Sequence, residues 1–362
     1  MARRDHSLTA DEPQRVLMVR IGAMGDVLHA LPAVAALRRL RPKWTIGWVV
    51  EPRWLPLLQA ARMGSEPGRP VVDEIYLAAT RDWKRRPVAP KTLGKIFSLR
   101  RELRGGRFDL CVDMQGSIRS AVIGRMAGTK EFAGPREPRE GPARWLYGEK
   151  IPTDAAHVIE QGCELLGRAA GLRLEPEEVG FSVEEDIKRE CEAMVERLLP
   201  GGERFVLVVP TAGWGAKQWP AERFGAVAEE LGRRGVRTLV NASGTDDPVA
   251  QSVVRASGGY AAVASADLRH LIALTRRASV VIAGDTGPVH LAAAMRRPVV
   301  ALFGPTDPAR NGPYGTEARV LRHGSERRDH RRLAEPEAGL LQITVEEVAE
   351  AAFELLQGKG DE

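Results

Sequence analysis

Asp26 closes the run Gly22-Ala-Met-Gly25-Asp26, and a carboxylate beside a glycine turn can act as a general base, an effect worth about 10²–10⁴ in rate. The plainer reading is a helix N-cap, a position that Asp suits well. Glycines at a strand-to-helix turn let backbone N–H groups approach a ligand, and a helix N-terminus favours negative charge. A dinucleotide fingerprint would read GxGxxG, whereas this stretch is GxxGD without a third glycine. A nicotinamide-dependent oxidoreductase is therefore a weak alternative.

Two further stretches have the same character. Thr211-Ala-Gly-Trp-Gly-Ala-Lys217-Gln-Trp-Pro220 combines glycines with one lysine, which suits a diphosphate, though it is not a Walker loop. Lys217 could equally be a surface lysine. Gly284-Asp-Thr-Gly-Pro-Val-His290 enters an apolar helix and offers free N–H donors and a hydroxyl to a phosphate. The bland readings are a capping Asp285 and a packed His290. Downstream, Phe303-Gly-Pro-Thr-Asp-Pro308 is a rigid loop.

Each stretch follows a short apolar run and precedes an apolar-periodic one. Val16–Arg20 reads as a strand and Val27–Leu40 as a helix stopped at Arg41-Pro42; strands follow at Thr45–Val50 and Leu110–Asp113. A second series starts at Phe205–Val209 and continues with a helix at Ala221–Arg234 and a strand at Thr238–Asn241. After these come a helix at Leu268–Arg276, strands at Ser279–Ala283 and Pro298–Phe303, and a terminal helix at Val345–Leu356. Such alternation predicts parallel sheets with helices on both faces. Gly171–Gly180 is a linker region, so two Rossmann-like domains are expected, residues 1–175 and 176–343. The helix within 344–362 is expected to pack back on the first.

With 362 residues the chain exceeds one comfortable core. Its longest early apolar run, Val16–Val19, is far too short to cross a membrane. Met1–Glu12 reads as a polar arm. The three cysteines lie far apart with no CxxC, which favours buried thiols over zinc or disulfides. From Arg81 to Arg107 ten basic residues face only Asp82 and Glu102, so this is either a solvated helix face or an anion-binding patch. Aromatic residues are sparse there, which makes nucleic acid the weakest partner.

Together these stretches resemble the lipopolysaccharide heptosyltransferases of glycosyltransferase family 9, above all the branch that adds the first heptose. The matching segments are Arg15–Pro32, Phe108–Gly116, Lys217–Pro220, Gly284–Ala294 and Leu302–Pro308. The resemblance implies a GT-B fold, with a cleft between two Rossmann-like domains. It also implies inverting, metal-independent transfer from ADP-heptose to Kdo-lipid A. Asp26 matches the catalytic carboxylate. Thr211, Lys217, Asp247, Asp285, Thr286, Gly287 and His290 match donor-binding positions, while Met24, Gly25, Arg81, Lys84, Arg85 and Arg139 match acceptor-binding ones.

The resemblance implies no cofactor beyond the donor substrate. The partners expected are the nucleotide sugar and an anionic lipid-linked sugar at the inner face of the cytoplasmic membrane. The chain itself would be a cytoplasmic, peripherally associated monomer. Where relatives carry threonines before Lys217, this sequence has Ala212-Gly213, and Asp82 interrupts the basic cluster. Another nucleotide sugar, another acceptor, or a non-catalytic sugar-nucleotide or lipid-binding protein remain alternatives.

Overall fold

Runs such as Val16–Val19 and Phe205–Val209 are apolar at every position, so they suit strands buried on both faces, and both are buried along their length. The computed structural model describes residues 14–64, 68–201, 204–324 and 335–358; the polar arm Met1–Glu12 lies outside them. The chain divides into two compact units between Gly180 and Phe181.

In the first unit the strands are β1 (Arg15–Val19), β2 (Thr45–Val50), β3 (Ala61–Met63), β4 (Glu74–Leu77), β5 (Leu110–Asp113), β6 (Glu131–Pro135) and β7 (Glu149–Ile151), with β8 (Val179–Phe181) at the boundary. Its helices are α1 (Met24–Leu40), α2 (Leu55–Ala60), α3 (Thr80–Arg85), α4 (Pro90–Gly105), α5 (Ile118–Met126) and α6 (Val158–Ala169). Six strands form one parallel sheet in the order β4-β2-β1-β5-β6-β7. Side chains alternate along a strand. Leu17 and Val19 accordingly join one layer with Leu99 and Leu103 of α4 and Ala121 and Ile123 of α5. Elsewhere in the unit α1 packs against α6.

The second unit holds α7 (Glu185–Leu198), β9 (Phe205–Val209), α8 (Ala221–Arg233), β10 (Arg237–Ala242), α9 (Pro248–Ala256), β11 (Ala261–Ser265) and α10 (Leu268–Arg277). It continues with β12 (Val280–Gly284), α11 (Gly287–Ala294), β13 (Val299–Leu302), α12 (Pro308–Asn311), β14 (Ala318–Leu321), α13 (Ala338–Gln342) and α14 (Val345–Gln357). Its sheet is also parallel, ordered β11-β10-β9-β12-β13-β14. The two sheets thus share one permutation, each with its first long strand near the centre.

One expectation is corrected here. Helix α14 belongs to the second unit's own core, packed on α8 and β12–β14 through Val348, Ala352, Leu355 and Leu356. Its apolar stripe is what the exposed side of that sheet needs, and a Thr344–Glu347 capping box fixes its start. The three cysteines are buried free thiols.

Candidate active site

In an open α/β sheet, ligands bind outside the carboxyl ends of the strands where the strand order reverses. In the first unit that point lies between β1 and β5. Asp26 is there, but not as the N-cap: α1 starts at Met24, capped by Ala23, and Asp26 is the third helical residue. Its Oδ2 accepts the Ala23 N–H at 2.9 Å, while Oδ1 pairs with the Arg20 guanidinium at 2.9 Å. Its side chain keeps 33% exposure, so it is held in place yet reachable, as a base must be.

Arg20 went unnoticed in the sequence. It leaves the end of β1 and also donates to the backbone carbonyls of Asp26 (3.1 Å) and Met114. The loop after β5 supplies a second clamp, because Gln115 Oε1 accepts the N–H groups of Ile21 (2.8 Å) and Gly22 (3.4 Å). That loop is anchored by Asp113, which is fully buried and accepts from Gln115 N–H, Gly116 N–H, Ser120 and Tyr147. Burial raises the Asp113 pKa against the pull of those donors. Gly116 has a φ of +69°, and a Cβ there would lie 3.0 Å from the Arg139 nitrogen, so glycine is required.

The expected acceptor residues divide. Arg81, Lys84 and Arg85 on α3 are exposed, as is Arg139 in the loop after β6. Met24 and Gly25 are buried in the first turn of α1, so their side is turned to packing. Buried Glu51, just past β2, fixes the start of α3 by accepting from the Thr80 hydroxyl (2.7 Å) and the Arg81 N–H (2.9 Å). Arg119 on α5 donates to the same Thr80 hydroxyl at 2.9 Å. Arg53 lies over the Trp54 ring at 4.1 Å, and its pKa is lowered by burial and then by the charge of Arg81. Arg53 and Arg119 are cations at this sheet edge that sequence reasoning passed over.

In the second unit the reversal falls between β9 and β12, and the loops after those strands meet. Lys217 is no surface lysine: its side chain is 11% exposed and its ammonium bonds the Asp285 carboxylate and, at 3.3 Å, the Asp285 carbonyl. Trp214 adds a ring face 4.9 Å from that ammonium. The loop is pinned from beneath by buried Trp219, which stacks edge-on against Phe224 and donates to the Ile343 carbonyl. A Cβ on Gly284 would stand 2.9 Å from the Lys217 carbonyl, so the strand end must be glycine for the loops to touch.

Asp285 is not a cap either. Its carboxylate is buried and faces Lys217, the Thr306 hydroxyl and, at 3.4 Å, His290 Nε2. Burial pushes its pKa up, but the His290 hydrogen bond and the Lys217 charge outweigh this and hold it well below the usual carboxylate range. A carboxylate so engaged orients its neighbours and is ill placed to accept a proton. Thr286 occupies the N-cap of α11 without a side-chain cap bond, its hydroxyl turned to the Gly284 carbonyl at 3.1 Å. Gly287 opens the helix, whose first-turn N–H groups lack intrahelical partners. Thr211 is exposed after β9. Asp247 caps α9 through the N–H groups of Val249 (3.0 Å) and Ala250 (3.1 Å), a structural task.

Two parallel α/β units, each with its loops gathered at a reversal of strand order, are the parts of a GT-B fold. Residues 96–338 match the model of glycosyltransferase family 9 (heptosyltransferase). The chain belongs to that family. It is 30% identical over 312 residues to lipopolysaccharide heptosyltransferase 1 of Pseudomonas aeruginosa, spanning 83% of this chain and 81% of that one. It is 27% identical over 316 residues to lipopolysaccharide heptosyltransferase 1 of Escherichia coli K12, spanning 85% and 93%. In fold it matches E. coli heptosyltransferase WaaC with ADP (TM-score 0.76, 23% identity, 94% and 99% covered). It also matches E. coli ADP-heptose lps heptosyltransferase II (TM-score 0.74, 21% identity, 96% and 99% covered). The oxidoreductase alternative falls with this membership.

Proposed function

We propose that the enzyme transfers heptose from ADP-heptose to Kdo-lipid A in lipopolysaccharide inner-core synthesis, as a monomer working at the inner face of the cytoplasmic membrane. Lipopolysaccharide heptosyltransferase 1 is the name carried by the Pseudomonas and E. coli relatives. A solved E. coli WaaC structure holds ADP-2-deoxy-2-fluoro heptose. The observation that carries the mechanism is the clamped but accessible Asp26 carboxylate. Asp26 takes the proton of the attacking acceptor hydroxyl. The new C–O bond forms at the anomeric carbon as the bond to ADP breaks on its other face, inverting the centre. ADP is a good leaving group, so this route needs no general acid and no metal. The Lys217 ammonium and the first turn of α11 carry the diphosphate charge, each charge-assisted contact worth about 1.5–3 kcal/mol. Thr211 and backbone amides stand in for the threonines absent at 212 and 213. Arg81, Lys84, Arg85 and Arg139 hold the acidic sugar.

Asp26→Asn is expected to lower transfer at least about 10²-fold while ADP-heptose binding by calorimetry stays within a factor of three. Full turnover in that variant would remove Asp26 from the mechanism. A thermal-shift comparison of ADP-heptose with GDP- and UDP-sugars tests the donor, because a larger shift with another nucleotide replaces it.

A further inference from the structure

Six of the eight large apolar side chains exposed among the described residues of the first unit, all but Leu40 and Leu77, fall on neighbouring segments. Val88 (84% exposed) lies between α3 and α4, Phe97 (63%) and Leu93 on α4, Ile118 and Val122 on α5, and Trp145 (74%) on the turn that follows β6. Helix α4 packs beside α5, and α5 beside the Trp145 turn, so these residues lie along three adjoining elements. The stripes explain their outward position. Thr92, Leu99 and Leu103 face the core, and Leu93 and Phe97, spaced i and i+4, lie about a third of a turn away. On α5 the core takes Ser120, Ala121, Ile123 and Gly124, leaving Ile118 and Val122 outside. Cations outnumber acids around them: Arg100 and Arg101 on α4, Arg125 on α5 and Arg144 beside Trp145 are all exposed, while Glu140 accepts the Ile118 N–H at 2.9 Å. The one acid of α4, Glu102, bonds the Ser98 hydroxyl.

An isolated exposed apolar residue needs no explanation, but an aromatic-bearing apolar group flanked by arginines has a specific use. A protein partner with an acidic surface and no apolar patch would meet the charges and leave Phe97, Val88 and Trp145 unburied. Nucleic acid would meet the charges and could stack on Phe97 and Trp145, but leaves Val88, Leu93, Ile118 and Val122 without a partner. An anionic phospholipid bilayer satisfies both, taking apolar side chains and a tryptophan into its interfacial zone and cations among its headgroups. We infer that the outer surface of α4, α5 and the Trp145 turn is a bilayer-docking face, with Val88, Phe97 and Trp145 as its inserting prongs. This adds a surface to the reading of a membrane-borne acceptor, and its biological sense rests on that reading.

The test uses vesicles without any lipopolysaccharide. The full chain should co-sediment with phosphatidylglycerol-containing vesicles and stay in solution with pure phosphatidylcholine. Phe97→Ser with Trp145→Ser should weaken binding about tenfold or more. Arg100→Glu with Arg101→Glu should weaken it about 20-fold or more, and more steeply at low salt. Both pairs should transfer heptose to a water-soluble deacylated acceptor at the unaltered rate, which also shows that they fold. Vesicle binding unchanged by the apolar pair overturns the docking face, as does an oligonucleotide that displaces the protein from vesicles through the same arginines. So does self-association in solution that is lost in the apolar pair. Failure of vesicle binding with normal soluble transfer removes the docking face alone, whereas loss of transfer in the unaltered chain removes the proposed function alone.

Discussion

Lys217 answers two demands, since the ammonium that would meet a diphosphate is also the counter-ion of a buried carboxylate. Removing one member of such a pair leaves the other charged and dry, at a cost of about 3–5 kcal/mol. Lys217→Ala should therefore lower both ADP affinity and folding stability, whereas Lys217→Met with Asp285→Asn should regain most of the stability and none of the affinity. Urea denaturation and calorimetry with ADP separate the two effects. Arg20 acts through Asp26, so Arg20→Gln should reduce kcat about tenfold or more with donor KM unchanged, and Arg20→Lys should restore part of the loss. A parallel rise in KM would make it a binding residue instead. At this scale the sequence showed which side chains have useful chemistry, because Asp26, Lys217 and Asp285 stand beside glycine turns. It could not show their partners: Arg20 meets Met114 and Asp285 meets Thr306 only once the strands are side by side.

Element boundaries follow the same division. Periodicity marks α1 only from Val27, because Gly25 and Asp26 carry no apolar signal, yet the helix begins at Met24 and thereby moves Asp26 inside its first turn. The stripe of α14 was plain, but not the sheet it would cover, and only tertiary packing decides that. One joint was invisible altogether. His270 of α10 bridges Asp267 at 2.8 Å and Glu190 of α7 at 2.9 Å. Burial lowers its pKa, but the two carboxylates outweigh this and raise it overall. A raised folded value makes the joint's contribution complete below the ordinary histidine pKa of about 6.5 and lost as pH climbs through the folded value. The unfolding midpoint should thus fall as pH rises above about 6.5, and His270→Gln should flatten that slope; an identical slope in the variant would clear His270 of the effect.

The whole molecule consists of two units with separate cores and one shared strand permutation. The alternation of apolar runs and helices made two α/β units legible in the sequence, and the chain divides between Gly180 and Phe181. Two cores should give two calorimetric transitions. If ADP is held by Lys217 and α11, it should raise the transition of the second unit, by about 2.7 kcal/mol at a hundredfold excess over Kd. A shift confined to the other transition would move the nucleotide to the first unit.

The strand order also sets a timetable. β1 is made early but cannot be flanked on both sides until β5 arrives, with Val16 settling beside Leu110. Closing so long a stretch of chain before any reward is slow. The Gln115 and Met114 contacts that hold the Asp26 loop arrive with β5, so this loop sets only after its sheet has closed. Pulse-labelled hydrogen exchange during refolding should find the amides of Ile21 and Gly22 gaining protection together with those of β5, well behind the amides of helix α1. Synthesis thus passes through a stage in which β1 and α1 exist while the loop between them still lacks its Gln115 and Met114 clamps.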